Sequence, residues 1–227
     1  MPTPLLAASS VTLNFGNSLA KPTTSILVIL AITLLSVAPS LFILLTGFVR
    51  ISIVLGLTRQ ALGLQTTPAN QVIAGLALFV SLFLMAPTLS QMNRVALQPY
   101  LAGRIPLSTA YARAEVPLKS WLLRQTGTSE LHETEALAHS HPATATDATL
   151  QEIVPAFLLS QLKSAFIIGF VIFIPFLIID LIVSATLMSM GVMMLPPTLV
   201  SLPFKILLFV LVDGWGLVMQ SLIASFR

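Results

Sequence analysis

The sequence predicts an all-α membrane protein in which four hydrophobic helical segments form two kinked hairpins. A polar, partly helical insert separates the second segment from the third. Of the 227 residues, 56% are hydrophobic and 8% are charged, whereas soluble domains carry about 25% charged residues. The apolar stretches are long enough for helices that need roughly 20 residues to cross a bilayer. The predicted parts are an N-terminal extension, a first hairpin, the insert and a second hairpin, at residues 1–24, 25–89, 90–160 and 161–227.

The first two apolar stretches, at about 25–47 and 71–89, each lie in an uncharged interval of the chain. The connection between them carries Arg50 and Arg59 and no acid, so the positive-inside rule places it in the cytoplasm. With four spans, the insert and both termini then lie outside the cytoplasm. No positive charge precedes Lys21, so the basic start of a signal peptide is not visible. We expect the first span to act as its own insertion signal.

The insert is much more polar than the rest of the chain. It holds five of the eleven basic residues, six of the eight acids and all three histidines. The stretch "STAYARAEVPLKSWLLRQ" predicts short amphipathic helices, and its apolar face, with Trp121 and Leu122, predicts a surface that docks onto neighbouring subunits. The histidines, His132, His139 and His141, have no companion cluster of ligands. No metal site is therefore predicted.

Two acids and one lysine interrupt the third and fourth apolar stretches. If these stretches form a hairpin that turns near Leu195, Asp180 lies opposite about Val210, and it shares one layer with Lys205 and Asp213. Because an unpaired charge inside a membrane is costly, we expect Lys205 to pair with Asp180 or Asp213, within or between subunits. The surplus acid favours a basic partner on another chain. A proton or ion pathway and an aspartic-protease-like acid pair are the functional alternatives.

Motifs for common catalytic chemistry are absent from the sequence. There is no GxxxxGK[ST] phosphate loop, no GxSxG elbow, no HExxH zinc motif and no cysteine. The net charge of +3 is small and scattered, whereas a nucleic-acid interface needs clustered Lys and Arg. The sequence therefore predicts no enzyme activity, no cofactor and no nucleic-acid partner.

The stretch "SMGVMMLPPTLV", at residues 189–200, combines methionines with a helix break. Gly191 and the pair Pro196 and Pro197 predict an exposed turn between the third and fourth apolar stretches. Methionine side chains repack readily around a changing shape, so this cluster could act as a deformable seal. On the residues alone, filling of an apolar core is the other interpretation.

Two long segments carry a resemblance to a known family. They are "FVRISIVLGLTRQALGLQTTPANQV" at residues 48–72 and the segment from "LKSAFIIGF" to "LLFVLVDGW" at residues 162–215. Both resemble, without gaps, the FliP (FliP/MopC/SpaP) family of flagellar biosynthetic proteins. That family belongs with the R component of virulence-type type III secretion systems. The insert at residues 98–126 is similar to that of the flagellar branch, which favours a flagellum.

The resemblance implies a multi-pass subunit of the flagellar type III protein export gate, without catalysis or cofactor, in the bacterial inner membrane at the flagellar basal body. It implies a closed ring of about five copies, assembled with the small Q and R components and a FlhB-type switch protein. Unfolded exported flagellar proteins would pass through its centre. It further implies a pore gasket at Val192, Met193 and Met194, although the family usually has methionine where this chain has Val192.

A self-contained secondary transporter or ion pathway, built on Asp180, Lys205 and Asp213, is the alternative function. Four segments without an internal repeat are few for alternating access, which uses two repeat halves. An intramembrane enzyme ranks third. A purified protein that carries two other small membrane proteins would favour the export gate over a lone transporter.

Overall fold

The computed structural model describes residues 22–139, 144–191 and 195–226. Within these ranges the regular elements are helical and no strand occurs, which confirms the all-α prediction. The helices are α1 (Pro22–Leu45), α2 (Phe48–Ala61), α3 (Asn70–Met92), a π-helical turn (Asn93–Leu97), α4 (Gln98–Leu101), α5 (Leu107–Arg124), α6 (Thr128–Leu137), α7 (Leu150–Ser189), α8 (Pro197–Leu211) and α9 (Gly214–Ala224).

Several of these helices are long and apolar enough to cross a membrane. The continuous helix Asn70–Leu101 and α7 qualify individually, and two further bent helix pairs bring the total to four if each pair counts as one span. One of the pairs is α8 with α9, which meet at an angle of 64°. The membrane character that the composition predicts is thus confirmed within the described residues.

The chain divides into two compact units, one ending at Leu41 and the other beginning at Phe42. In the first unit the structure describes residues 22–41, which form the greater part of the apolar helix α1. Pro39 lies inside this helix. The second unit is built around α2, which packs against both α7 and α3. Ile51 and Leu55 of α2 are completely buried there. The segment around the two arginines, expected to be a connection, is therefore a central helix of this unit.

The start of α7 is specified by its local sequence. Thr149 and Glu152 form a capping box, in which the Glu152 carboxylate accepts a hydrogen bond from the Thr149 backbone N–H at 2.6 Å. This arrangement satisfies backbone donors that a helix end otherwise leaves unpaired. As a result α7 begins within the insert and runs without interruption through the third apolar stretch.

The insert packs on the second unit's own core, which corrects one of our predictions. Trp121 is 4% exposed and Leu122 is fully buried, and the Trp121 indole stacks on the Phe226 ring with centroids 6.3 Å apart. Neither side chain can therefore contact a neighbouring subunit, and the docking role predicted for them was wrong. An amphipathic pattern predicts a buried face but does not specify the surface that covers it.

Candidate functional site

The central feature of the second hairpin is a buried ion pair between α7 and α8. Lys205 is 4% exposed, and its Nζ donates to Asp180 Oδ2 at 2.6 Å and to the Ala61 carbonyl at 3.2 Å. One helical turn earlier, the Ser201 hydroxyl donates to the other carboxylate oxygen at 2.6 Å. Both oxygens of the acid and the ammonium group thus have partners, as burial of a charge pair requires.

The same contacts locate the reversal of the hairpin. Ser201 and Lys205 lie level with Asp180, so the chain reverses nearer to Gly191 than to Leu195. Gly191 has a φ of +75°, a left-handed conformation that glycine adopts without steric cost.

On the other side of the turn, α8 begins at Pro197, directly after Pro196 in extended conformation. Proline is well suited to a first helical position because its missing N–H has no partner there. The predicted turn-forming residues therefore flank the reversal. The gasket residues Val192, Met193 and Met194 lie outside the described residues.

Asp213, the second acid of the predicted charge layer, occupies a different position. It lies at the break between α8 and α9 with a φ of +50°, is exposed, and forms no ion pair with the described residues. A side chain at Gly214 would run into the Phe209 ring, and one at Gly216 would run into the Asp213 carboxylate. The "DGWG" sequence therefore allows a tight break, and the structure brings together two of the three predicted charges.

A second polar cluster, which the sequence did not predict, joins the end of α9 to α2 and α5. Arg50 is 3% exposed, and its Nη1 donates to the Ser225 carbonyl at 2.7 Å and to the Ser225 hydroxyl at 3.1 Å. Its guanidinium lies 4.1 Å from the centroid of the Phe226 ring. The Gln125 side-chain amide donates to the Phe226 carbonyl at 2.8 Å. We name Arg50, Gln125, Ser225 and Phe226 the C-terminal latch.

The insert is also held by an ion pair between α6 and α7. Lys163 Nζ lies 2.6 Å from Glu130 Oε1, and this hydrogen bond lowers the pKa of Glu130 below its usual value. Elsewhere on α6, His132 Nδ1 lies 3.1 Å from Glu135 Oε2. In the described part of the chain, no three His, Cys, Asp or Glu side chains are grouped as a metal site would require.

Comparison with known proteins identifies the family. The FliP family matches residues 31–222, which include both long apolar helices, the insert and the buried ion pair. The chain belongs to the FliP family.

Three relatives illustrate how far the similarity to FliP extends. The flagellar biosynthetic protein FliP of Bacillus subtilis is 52% identical over 199 residues, covering 87% of this chain and 90% of the relative. The FliP of Caulobacter vibrioides is 44% identical over 228 residues, covering 100% of this chain and 86% of the relative. The FliP of Aquifex aeolicus is 43% identical and covers 89% and 86% of the two chains. The similarity thus extends over nearly the full length of each protein.

Proposed function

We propose that this FliP-family chain is a subunit of the flagellar type III protein export gate and helps to form the channel through which unfolded flagellar proteins leave the cell. The observation that carries the proposal is the family match over residues 31–222. It extends across both predicted hairpins, the insert and the methionine-rich turn, and the relatives share the name flagellar biosynthetic protein FliP.

The exposed apolar surface of the chain supports an assembly with other proteins. Only 11% of the apolar window of α7 is buried by the chain itself. A groove of about 530 Å³ lies between α7 and α8, lined by apolar side chains that include Ile182, Met190 and Phe204. Apolar surfaces of this extent are covered by lipid or by other polypeptides. The partners in this proposal are further copies of the chain, about five in a closed ring, the Q and R components and the FlhB-type switch protein.

The methionine-rich turn is our proposal for the seal of the channel. Gly191 with its positive φ and the start of α8 at Pro197 flank the turn on its two sides. Met193 and Met194, with Val192, would close the channel at rest and repack around a passing chain, because thioether side chains are flexible and polarisable. Met193→Ala with Met194→Ala should make the closed complex leak small ions. A double variant that is as impermeable as wild type would contradict the seal.

The buried ion pair is, in this proposal, a structural device rather than a pathway for protons. Lys205 donates to both Asp180 and the Ala61 carbonyl, and Ser201 occupies the other oxygen of the acid. Both carboxylate oxygens and the ammonium group therefore have hydrogen-bond partners, and these contacts hold α8 against α7 and against the end of α2. The chain would lie in the bacterial inner membrane at the flagellar basal body, with the insert outside the cytoplasm.

A secretion assay tests the proposal against a self-contained transporter. Deletion of the gene in its native bacterium should abolish export of hook and filament proteins into the medium, and a plasmid copy should restore it. The purified chain, alone in liposomes, should drive no solute uptake along an ion gradient. Undiminished export after deletion would refute the role in the gate, and coupled uptake by the chain alone would favour the transporter.

A further inference from the structure

Asp213, the acid that stands apart from the buried ion pair, lies on an apolar surface of the chain. It is exposed and forms no ion pair with any described residue, whereas Asp180 has both of its carboxylate oxygens engaged. The residues beside Asp213 are apolar and exposed, and they include Val210, Leu211 and Leu217. Asp213 is therefore the surplus acid that the sequence predicted.

The break between α8 and α9 holds this carboxylate in a defined place. The Phe209 ring fills the space beside Gly214 and packs edge-on against the Trp215 indole, with ring centroids 5.3 Å apart. The Asp213 carboxylate lies over Gly216, where any side chain would collide with it. It makes no capping hydrogen bond to the start of α9. Its capacity to accept hydrogen bonds is thus left for a group outside the chain.

Neither lipid nor water suits a carboxylate in these surroundings. Together α8 and α9 are long and apolar enough for one bent membrane span, and Lys205 and Asp213 are the only charged residues between Pro197 and Ala224. Acids within membrane spans pair with another group or face a wet cavity. The exposed apolar neighbours disfavour a wet cavity, and the phosphate of a phospholipid would repel the carboxylate. A basic protein side chain meets both requirements.

A second copy of this chain is a poor source of that base. The basic side chains on its apolar helices are already engaged: Arg50 by Ser225, Arg59 by Asn70, Lys163 by Glu130 and Lys205 by Asp180. The other exposed arginines that the structure describes lie in the polar insert. None of them is surrounded by an apolar helix surface that would match the one around Asp213.

We propose that Asp213 docks a different subunit of the gate, an inference that rests on the proposed function because it takes the chain as one subunit among several. The partner is a membrane helix that presents one lysine or arginine within an apolar face. Val210, Leu211 and Leu217 would exclude water around the pair, and the attraction between two charges is stronger where water is absent.

Asp213→Asn tests the charge separately from the local fold. Asparagine has nearly the same shape and tolerates a φ of +50°, so the variant chain, purified alone in detergent, should unfold at the same urea concentration as wild type. Recovery of other gate subunits with the tagged chain from membranes should fall roughly tenfold or more, because the partner's base is left without its counter-charge. The control Glu133→Gln, which neutralises an exposed acid on α6, should leave recovery unchanged.

Photo-cross-linking identifies the occupant of the surface. With benzoylphenylalanine in place of Leu217, illumination of the assembled complex should join the chain to a different membrane protein, through a peptide that contains a lysine or arginine. Changing that basic residue to Met, together with Asp213→Asn, should restore recovery of the complex. The same photo-reactive residue in place of Leu137, exposed at the end of α6, should not give this product.

Three results would overturn the docking role of Asp213. They are normal recovery of the complex with Asp213→Asn, cross-linking from position 217 to a second copy or to lipid alone, and failure of the paired neutral variants to restore recovery. Each can occur while export still requires the chain. Export that continues after deletion of the gene would instead refute the proposed function, so the two failures are distinguishable.

Discussion

Asp180→Asn is the substitution whose effect follows most directly from the structure. It removes the charged partner of the Lys205 ammonium, which is 4% exposed, and leaves that group the Ala61 carbonyl at 3.2 Å and a neutral amide oxygen. Removing one member of a buried ion pair costs about 3–5 kcal/mol. The Asp180 side chain is 28% exposed, so solvent screens part of the interaction and we expect a loss near the lower limit, about 3 kcal/mol. That loss lowers the folding equilibrium constant by more than about a hundredfold.

Urea unfolding in detergent and the yield of assembled complex from membranes measure this loss. Lys205→Met added to Asp180→Asn should restore much of the stability and of the motility, since an apolar pair needs no compensating charge. Glu115→Gln is the control, because it breaks a partly exposed pair within one helix, with Lys119 at 3.8 Å, and should cost less than about 1 kcal/mol. An Asp180→Asn protein that assembles normally yet exports nothing, and that Lys205→Met does not rescue, would refute the structural interpretation and favour a proton pathway.

Two further predictions concern the junction between the insert and the hairpins. Gly47→Ala would set a methyl group 2.7 Å from Cε1 and Cζ of the Phe226 ring, and the displaced latch should lower the unfolding free energy by about 1–3 kcal/mol. Gly56→Ala on the same helix meets open space and should be neutral or stabilising, so equal losses in urea unfolding would contradict the steric argument. The hydrogen bond from Lys163 lowers the pKa of Glu130. The pair of Glu130 with Lys163 therefore contributes fully to stability above pH 4.5, the ordinary pKa of the carboxyl group, and the contribution disappears as the pH falls through the lowered pKa. Glu130→Gln should flatten this acid limb of the stability profile, and an unchanged slope would show that the pair contributes nothing.

The fold class and the helix breaks were predictable because they depend on composition and local chemistry. Apolar runs, prolines and the glycine at 191 are local signals, and the all-α architecture confirmed in the described residues follows from them. Which helices pair is not a local property. Nothing in the apolar pattern of α2 alone identifies α7 and α3 as the helices that pack against it.

Contacts between residues far apart in the chain were the ones that the sequence could not predict. The latch joins Arg50 to Ser225, two residues 175 positions apart. From the sequence alone, an arginine next to an apolar stretch is interpreted just as well as a positive charge that flanks a membrane span. Trp121 and Leu122 have the spacing of an amphipathic face, which suits a subunit interface as well as a core. The sequence allowed Lys205 to pair with either Asp180 or Asp213, and the 2.6 Å contact shows that its partner is Asp180.

Cross-linking to a substrate arrested during export tests the channel role most directly. The chain contains no cysteine, so a single Met193→Cys substitution supplies one defined thiol at the proposed seal. A filament protein with a tightly folded domain at its C-terminus and a single cysteine in its unfolded part would stall in transit. A bis-maleimide, which adds one thiol to each of its two maleimide rings, should then join that cysteine to the introduced thiol. The control Leu137→Cys, on the exposed end of α6, should give no such product. We expect a covalent complex at position 193 that depends on active export, and equal or absent cross-linking at both positions would contradict the channel.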